Sequence, residues 1–311
     1  KLPQVKEKTQ LEAMKDYLAC LAKENGYVHD LQLWMPVLPE QLYLQEFEEF
    51  RAVAFDGSWK HTSDNRELEV VIGKLDDPHN QQQMPLLLNL SEGGHVAVCG
   101  SVGSGKSTFL QSMVYALLMK YSPEQLHVYA IDYSSKMMAA FEQAPHVGGV
   151  MYEGDDEKIS KFFYMMNQIL EERKNLFHGG NYSQYVKAHG VTIPAILVVI
   201  DNYSAFNEKT EELYNDLIVQ LSKEGLSHGI YLALSGAGFN RSEIPTRIAE
   251  NIMNVFAIQQ TDKFGYSDIL RSMKFDVLPE TGVKGRGLAY YGTQILEFQT
   301  VLALQAADDY Q

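Results

Sequence analysis

The sequence predicts an α/β fold in which a mainly parallel β-sheet is covered by helices on both faces. Short apolar runs alternate along the chain with helical patterns, and such runs are typical of strands buried on both faces. The runs read HVAVCG, LHVYAID, PAILVVID, GIYLALS and NVFAIQQ, starting at residues 95, 126, 194, 229 and 254. Between them, helical periodicity is clearest after Lys106 and over residues 155–177 and 208–223.

Composition limits the class of protein. The chain has 311 residues, of which 45% are apolar, enough for a packed core. Its strongest apolar run, residues 195–200, is far shorter than the roughly 20 residues that cross a bilayer, and its two cysteines offer no disulfide framework. The net charge of −14 disfavours extended nucleic-acid binding. Because the chain starts at Lys1, we expect a piece of a longer protein whose membrane anchor lies elsewhere.

A helix is predicted near the N-terminus. Thr9 and Glu12 have the spacing of a capping box, and Gly26 supplies a stop signal. One face of this helix is apolar and consists of Leu11, Met14, Leu18 and Leu21.

The stretch LQLWMPVLPEQLYLQEF at residues 31–47 follows this helix and contains prolines but little periodicity. It predicts an extended arm laid over another surface. We therefore divide the chain into residues 1–66, a helix and an arm packing on the core, and residues 67–311, the main domain.

Two hairpins are predicted at the ends of the main domain. LEVVIG and PLLLNL flank the polar turn KLDDPHNQQQM, and GRGLAYYGTQILEFQ turns at Gly292.

The segment GSVGSGKST at residues 100–108 has the P-loop pattern G-x-x-x-x-G-K-[ST] and stands between a predicted strand and a predicted helix. Gly103 and Gly105 let successive backbone N–H groups face a polyphosphate, and the following helix adds its N-terminal partial charge. Lys106 is expected to reach the β- and γ-phosphates. The predicted nucleotide-binding residues are Gly100, Ser101, Val102, Gly103, Ser104, Gly105, Lys106, Ser107 and Thr108.

A magnesium ion is expected beside the phosphates. The hydroxyl of Ser107 is one predicted ligand, and an acid at the end of a neighbouring buried strand supplies the other side. Asp201 closes ILVVID and is the favoured acid, because the strand LHVYAID then lies between loop and acid in sequence. Asp132, which closes that intervening strand, is the alternative.

Several stretches resemble a known family. IGKLDDPHNQQQMPLLLNLSEGGHVAVCGSVGSGKST, IAENIMNVFAIQQTDKFGYSDIL and GRGLAYYGTQILEFQ are similar to the motor domain of FtsK/SpoIIIE-type ATPases. More narrowly, LQLWMPVLPE, IGKLDDP, PHVGGVMYEGDDE and GLSHGIYLALSG resemble the accessory ATPase modules repeated in tandem in EssC and EccC, the membrane-anchored ATPases of type VII secretion.

This resemblance implies a RecA-like P-loop module that binds ATP and Mg²⁺ on the cytoplasmic side of the cell membrane. It also implies neighbouring ATPase modules in the same chain, small helical secreted proteins as partners, and a ring of six in the full machine. Membrane contact would come only through regions outside this chain.

The chain departs from an active motor of that family at three positions. Active members follow the Walker B aspartate with a glutamate, and here Asn202 stands in its place; an amide is not a base. Ser235 and Gly236 stand where DNA-pumping relatives place a glutamine and an arginine that sense the γ-phosphate, and the Ser235 hydroxyl is expected to substitute in part. Val255 occupies the arginine-finger position, whereas Arg247 falls about two helical turns early and is equally a surface residue or a finger.

We therefore expect an ATP-binding module of a type VII secretion ATPase with slow or regulatory hydrolysis. The alternatives are a DNA-translocating motor of the FtsK/SpoIIIE type, and an interaction module whose P-loop is vestigial. A further interpretation of Asn202 is that it caps the strand while the true base lies elsewhere.

Overall fold

One ten-stranded sheet forms the centre of the described chain. This is a computed structural model, and it describes residues 9–27, 35–59 and 67–305. The strands are β1 (Glu69–Asp77), β2 (Gln82–Asn89), β3 (Val96–Gly100), β4 (Leu126–Asp132), β5 (Val147–Tyr152), β6 (Ala195–Asp201), β7 (Ile230–Gly236), β8 (Asn254–Ile258), β9 (Arg286–Tyr291) and β10 (Gln294–Thr300). They lie in the order β2-β1-β10-β9-β8-β3-β7-β6-β4-β5.

The half of the sheet from β8 to β5 is parallel throughout. Every residue of β3, β6 and β7 is buried. Strands covered on both faces need apolar side chains on both faces, which is why these segments are continuously apolar in sequence. The predicted mainly parallel sheet is confirmed.

The α-helices of the described residues are α1 (Gln10–Glu24), α2 (Glu48–Arg51), α3 (Leu90–Gly93), α4 (Lys106–Lys120), α5 (Asp156–Phe177), α6 (Tyr182–His189), α7 (Tyr203–Lys209), α8 (Asn215–Glu224), α9 (Thr246–Ala249) and α10 (Lys263–Leu270). None of them combines the length and the apolar character that crossing a bilayer requires.

Two apolar clusters lie on opposite faces of the sheet. Successive residues of β3 alternate between them: Val96 and Val98 join the cluster that contains α4, while Ala97 and Cys99 join the cluster that contains α5. This is the period-two alternation of a strand, here with apolar residues on both faces. The helix layers predicted on both faces are therefore present.

Both predicted hairpins are confirmed and extend the parallel half as an antiparallel block. β1 pairs with β2, and β9 pairs with β10 around Gly292, whose φ is 59°. β1 and β10 also pair with each other, and β9 pairs with β8, so the block is continuous with the sheet.

The predicted helix over residues 208–223 is wrong in its first part. α7 already ends at Lys209, and the chain turns through Glu211 and Glu212, which have φ values of 51° and 60°, before α8 begins. The turn places the ring of Tyr214 against that of Phe163 with centroids 4.3 Å apart. Packing against α5 therefore outweighs the local helical pattern.

The predicted N-terminal helix is confirmed as α1, including the capping box of Thr9 and Glu12. None of its residues is buried. Its apolar face is exposed in the described structure, with Leu11 77% and Leu18 61% accessible.

The arm contacts the core more closely than α1 does. The backbone N–H of Leu302 donates to the Leu42 carbonyl at 2.7 Å, and that of Leu44 donates to the Leu302 carbonyl at 3.1 Å. The buried apolar side chains of this part of the chain are Leu38, Leu42, Leu44, Phe47 and Phe50. The predicted boundary at residue 66, and residues 31–34 of the arm, lie outside the described residues.

Candidate functional site

The glycine-rich segment lies between β3 and α4, at the carboxyl edge of the parallel strands. Gly103 and Gly105 have φ values of 76° and 105°, a region that residues with a side chain rarely adopt. A Cβ on Gly105 would also come 3.0 Å from the backbone nitrogen of Gly285. Glycine is thus required at position 105 by both conformation and space.

Two other segments hold this loop in place. The backbone N–H of Gly285 donates to the Ser104 carbonyl at 2.8 Å, and that of Ser101 donates to the Gln259 carbonyl at 3.3 Å. The side-chain amide of Gln259 in turn donates to the Glu280 carbonyl at 2.9 Å and accepts from the Gly282 N–H at 3.0 Å. The sequence analysis did not predict these hydrogen bonds to the loop. The GRG triplet that begins at Gly285 was the one sequence feature that could have indicated a close backbone approach there.

The first turn of α4 presents uncapped backbone N–H groups. Its N-cap is Gly105, which has no side chain to accept from them. Ser101, Val102 and Gly103 are exposed beside this helix end. Such an arrangement attracts anions, because unpaired amides and the helix dipole act together.

Lys106, the first residue of α4, turns back onto the loop. Its Nζ donates to the carbonyls of Gly100 and Ser101, both at 2.8 Å. Burial lowers the pKa of this ammonium, and the carboxylates of Asp201 and Glu243 oppose that shift. A polyphosphate bound to the loop would offer the ammonium stronger acceptors than neutral carbonyls.

Asp201 ends β6, two strands away from β3, and is 1% exposed. Its Oδ1 accepts from the Ser235 hydroxyl at 2.5 Å, whereas its Oδ2 is buried without a hydrogen-bond partner. Burial raises the pKa of this carboxyl, and the nearby hydroxyls of Ser107 and Ser235 lower it.

These residues fit a magnesium ion. A buried carboxylate oxygen without a partner, lying near the Ser107 hydroxyl, is a hard-oxygen donor pair of the kind that Mg²⁺ combines with phosphate oxygens and water. Thr108 follows Ser107 in the first turn of α4 and is half-buried. Among the described residues, no group of three or more His, Cys, Asp or Glu side chains is placed to hold a metal by itself.

Asp132 ends β4 and is in register with Asp201. Both of its carboxylate oxygens accept backbone N–H groups of the next loop, from Ser134 and Lys136 on one oxygen and from Met138 on the other. This aspartate therefore organises its own loop, and only Asp201 of the two has a carboxylate oxygen without a hydrogen bond.

Asn202 acts as the N-cap of α7. Its backbone is left-handed, with a φ of 66°, and its Oδ1 accepts from the Ala205 N–H at 3.3 Å and from the Ser204 hydroxyl at 3.1 Å. The side-chain oxygen is therefore committed to the helix that follows β6.

Ser235 lies on β7, between the P-loop strand and β6, and is fully buried. Its hydroxyl donates to Asp201 and accepts from the Asn202 N–H at 2.7 Å. The structure thus joins Asp201, Asn202 and Ser235 in one network, in which the Ser235 hydroxyl is the donor to the aspartate.

The two arginine-finger candidates lie differently. The side chain of Arg247, on α9, is 64% exposed and sits 3.8 Å from Asp216. Val255 is buried in β8. Neither contacts the glycine-rich loop through a hydrogen bond among those the structure describes.

This loop geometry at the edge of a parallel sheet defines the class: the chain has the RecA-like fold of a P-loop ATPase. Residues 60–206 match the sequence model of the FtsK/SpoIIIE family. The chain therefore contains an FtsK/SpoIIIE-family domain.

Similarity to particular proteins extends over most of the chain. The Type VII secretion system protein EssC of Staphylococcus aureus (strain MRSA252) is 30% identical over 304 residues, which is 96% of this chain and 20% of EssC. The solved cytoplasmic domain of the type VII secretion ATPase EccC of Thermomonospora curvata is 25% identical with a TM-score of 0.75, covering 90% of this chain and 33% of that one. EssC (ATPases 2 and 3) of Geobacillus thermodenitrificans shares the fold, with a TM-score of 0.73 at 23% identity over 88% of this chain and 49% of that one.

The chain resembles the ATPase modules of EssC and EccC and spans about a fifth of the length of the curated relatives it matches.

Proposed function

We propose that this chain is an ATP-binding module of a membrane-anchored type VII protein-secretion ATPase, and that it hydrolyses ATP slowly. The observation that carries the proposal has two parts. The glycine-rich loop and the N-terminus of α4 are complete, whereas the residue after β6 is Asn202, whose amide caps α7. ATP binding and cleavage of its γ-phosphate bond need different groups. The groups for binding are in place, whereas position 202 has no carboxylate to act as a base.

Each group of the site has a distinct role in binding. The loop amides and the N-terminus of α4 hold the phosphates, and Lys106 exchanges its two carbonyl partners for the β- and γ-phosphates. Ser107 and Asp201 would hold Mg²⁺, which would supply positive charge against the phosphate oxygens. Ser235 holds Asp201 in place.

The slow rate follows from the absence of a base at position 202. A positioned general base contributes roughly 10²–10⁴ in rate, and the oxygen of Asn202 already accepts two hydrogen bonds. Bound ATP then stabilises the folded module by mass action, by about 2.7 kcal/mol at a hundredfold excess over Kd. A slow site is suited to a regulatory or structural role between modules.

The partners and location of the module belong to the same proposal. Two solved structures that it resembles are described as containing ATPases 2 and 3, which supports neighbouring ATPase modules in the same chain. We propose that the module works on the cytoplasmic side of the membrane, within a machine of six copies that exports small helical proteins. One of those two solved structures, Thermomonospora curvata EccC (ATPases 2 and 3), is in complex with a signal sequence peptide, which supports a protein rather than a nucleic-acid substrate.

Calorimetric titration with Mg-ATP tests the binding step. We expect wild type to bind and Lys106→Ala to lose affinity by about tenfold or more, because the charge facing the β- and γ-phosphates is removed. Lys161→Ala is the matched control, since Lys161 is an exposed helical lysine that pairs with Glu157 at 2.6 Å. Wild type that does not bind Mg-ATP would refute the proposal.

Phosphate release under saturating Mg-ATP tests the catalytic step. We expect wild type to turn over well below the roughly 1 s⁻¹ at the low end of ordinary enzymes. Turnover at or above that rate would show that the proposed slow hydrolysis is wrong, even if binding is as expected.

A further inference from the structure

The carboxylate of Glu243 lies at the end of β7, the strand next to the P-loop strand, and none of the roles assigned above uses it. The charge of Glu243 acts on the Lys106 ammonium, as does that of Asp201. It also acts on the Cys99 thiol at the end of the P-loop strand. Gly236 pairs with Cys99 across the parallel strands, so Ala237, whose N–H bonds to Glu243, lies beside Gly100, the first residue of the P-loop.

The position of this carboxylate is fixed by the end of β7. Its Oε2 accepts the backbone N–H of Ala237 at 2.9 Å. The same oxygen would lie 3.5 Å from a Cβ on Gly236, which pairs with Cys99 across the parallel strands. Since β7 lies between β3 and β6, Glu243 stands at the edge between the P-loop and Asp201.

The loop from β7 to α9 is built to hold Glu243 there. Asn240 Oδ1 accepts the N–H groups of Ser242 and Glu243, at 2.9 and 3.0 Å. Ile244 is fully buried, and its N–H donates to the Gly238 carbonyl at 3.2 Å. These contacts anchor the backbone on both sides of Glu243, so the carboxylate is presented by a closed loop.

Gly236 keeps the space in front of this loop free. A Cβ there would come 3.1 Å from Ile244 and 3.5 Å from Glu243. A larger side chain at position 236 is therefore sterically disfavoured, and Glu243 reaches this edge from the following loop.

We propose that Glu243 is the general base of the slow hydrolysis, in place of the glutamate missing at position 202. This inference rests on the proposed ATP-binding function. Glu243 accepts a hydrogen bond from the attacking water and takes its proton as the water oxygen bonds to the γ-phosphorus. The bond from that phosphorus to the β–γ bridging oxygen breaks, ADP leaves with the bridging oxygen, and the proton passes from Glu243 to phosphate or solvent.

The role is consistent with the slow rate of the proposed function. Oε2 already accepts the Ala237 N–H, so one of the two carboxylate oxygens is held by the backbone and the other is left to meet a water. Glu243 supplies the base from the loop after β7, whereas a glutamate at position 202 would stand directly at the end of β6.

Single-turnover cleavage of labelled ATP, with the full chain in excess over nucleotide, tests this proposal alongside Mg-ATP calorimetry. We expect Glu243→Gln to keep ATP affinity within about threefold of wild type and to lower the cleavage rate by about 10²-fold or more. Glu250→Gln is the matched control, because Glu250 is exposed at the end of α9, and it should cleave at the wild-type rate. Glu243→Asp keeps the carboxylate and should give an intermediate rate.

The outcomes separate this inference from the proposed function. Wild type that fails to bind Mg-ATP refutes the proposed function. Wild type that binds ATP and leaves it intact over a day, or Glu243→Gln that cleaves at the wild-type rate, refutes the role of Glu243 while ATP binding stands. If Glu243→Gln does not fold, Glu243→Asp decides: a reduced rate at unchanged affinity supports the base, and an unchanged rate overturns it.

Discussion

Asn202 joins β6 to α7 with a left-handed backbone, at a φ of 66°. That conformation costs most residues about 1–2 kcal/mol and is tolerated best by glycine and asparagine. The Asn202 side chain also caps α7, through the Ala205 N–H. Asparagine therefore satisfies a turn and a cap together, which explains an amide at this strand end without reference to catalysis.

The first prediction tests this double role through stability. Asn202→Ala loses both the favourable backbone and the cap, so we expect the free energy of unfolding to fall by about 2 kcal/mol. Asn202→Gly keeps the left-handed backbone. Replacing asparagine by glycine at an N-cap costs only a few tenths of a kcal/mol, so this variant should lose little stability. Urea denaturation of both variants measures the difference, and equal losses for alanine and glycine would contradict the left-handed assignment.

At the residue scale, the sequence identified the loop because its pattern has fixed spacing between a strand and a helix. The sequence alone could not show whether Asn202 marks a missing catalytic base or a helix cap. The distinction depends on the φ angle of this residue and on the residue at which α7 begins. Glu243 was not singled out, since its place at the end of β7, next to the P-loop strand, depends on how the loop after β7 folds back.

At the element scale, Arg286 at the start of β9 ties the arm to the sheet. It is 1% exposed, and its guanidinium donates to the carbonyls of Leu38 and Pro39 at 2.8 and 3.0 Å. The remaining donors reach Gln299 at 2.8 Å and Glu297 at 3.4 Å. The neighbouring Gly285 bonds to the P-loop, so the arm and the phosphate site meet in adjacent residues of one segment.

The second prediction concerns this connection. Arg286→Met leaves several buried acceptors without donors, so we expect the free energy of unfolding to fall by about 3 kcal/mol or more. Proteolysis within residues 35–59 should also become faster, because the arm loses two of its attachments. Arg247→Met is the control: this exposed arginine should contribute less than about 0.5 kcal/mol. Similar losses in the two variants would argue against the connection.

Helices and strands could be predicted where the hydrophobic pattern was long or continuously apolar. They could not be predicted where contacts between residues distant in sequence determine the backbone. The buried strands and α5 followed from periodicity, as did both hairpins. β5 was missed because its sequence VGGVMY has two glycines and little apolar alternation. The break between α7 and α8 was missed because Tyr214 packs on Phe163, a contact between residues far apart in sequence.

At the scale of the whole molecule, the antiparallel block and the arm extend a parallel sheet that carries the site. The arm crosses this block and contributes apolar side chains to the same cluster as α4. α1 differs, because its apolar face contacts nothing that would bury it among the described residues. The proposed N-terminal unit of residues 1–66 therefore contains two parts that should contribute differently to stability.

The third prediction separates these parts by truncation. Removing residues 1–34 takes away α1 without any buried side chain of the described structure, so we expect the free energy of unfolding to change by less than about 1 kcal/mol. Removing residues 1–59 also takes away Leu44 and Phe50, which are buried, with three further apolar side chains of the arm. Burial of each such side chain stabilises by about 1.5–3 kcal/mol, so the five together are comparable to the whole net stability of a domain, about 5–15 kcal/mol.

Urea denaturation, with Mg-ATP calorimetry on each truncated chain, measures both effects. The chain that starts at residue 35 should unfold at the wild-type midpoint and bind ATP as wild type does, because the P-loop braces at Gln259 and Gly285 are retained. The chain that starts at residue 60 should be unfolded or aggregated, since it also loses the arm contacts of Arg286. A large loss of stability in the first chain would mean that α1 packs on the core, and the distinction between helix and arm would then be wrong.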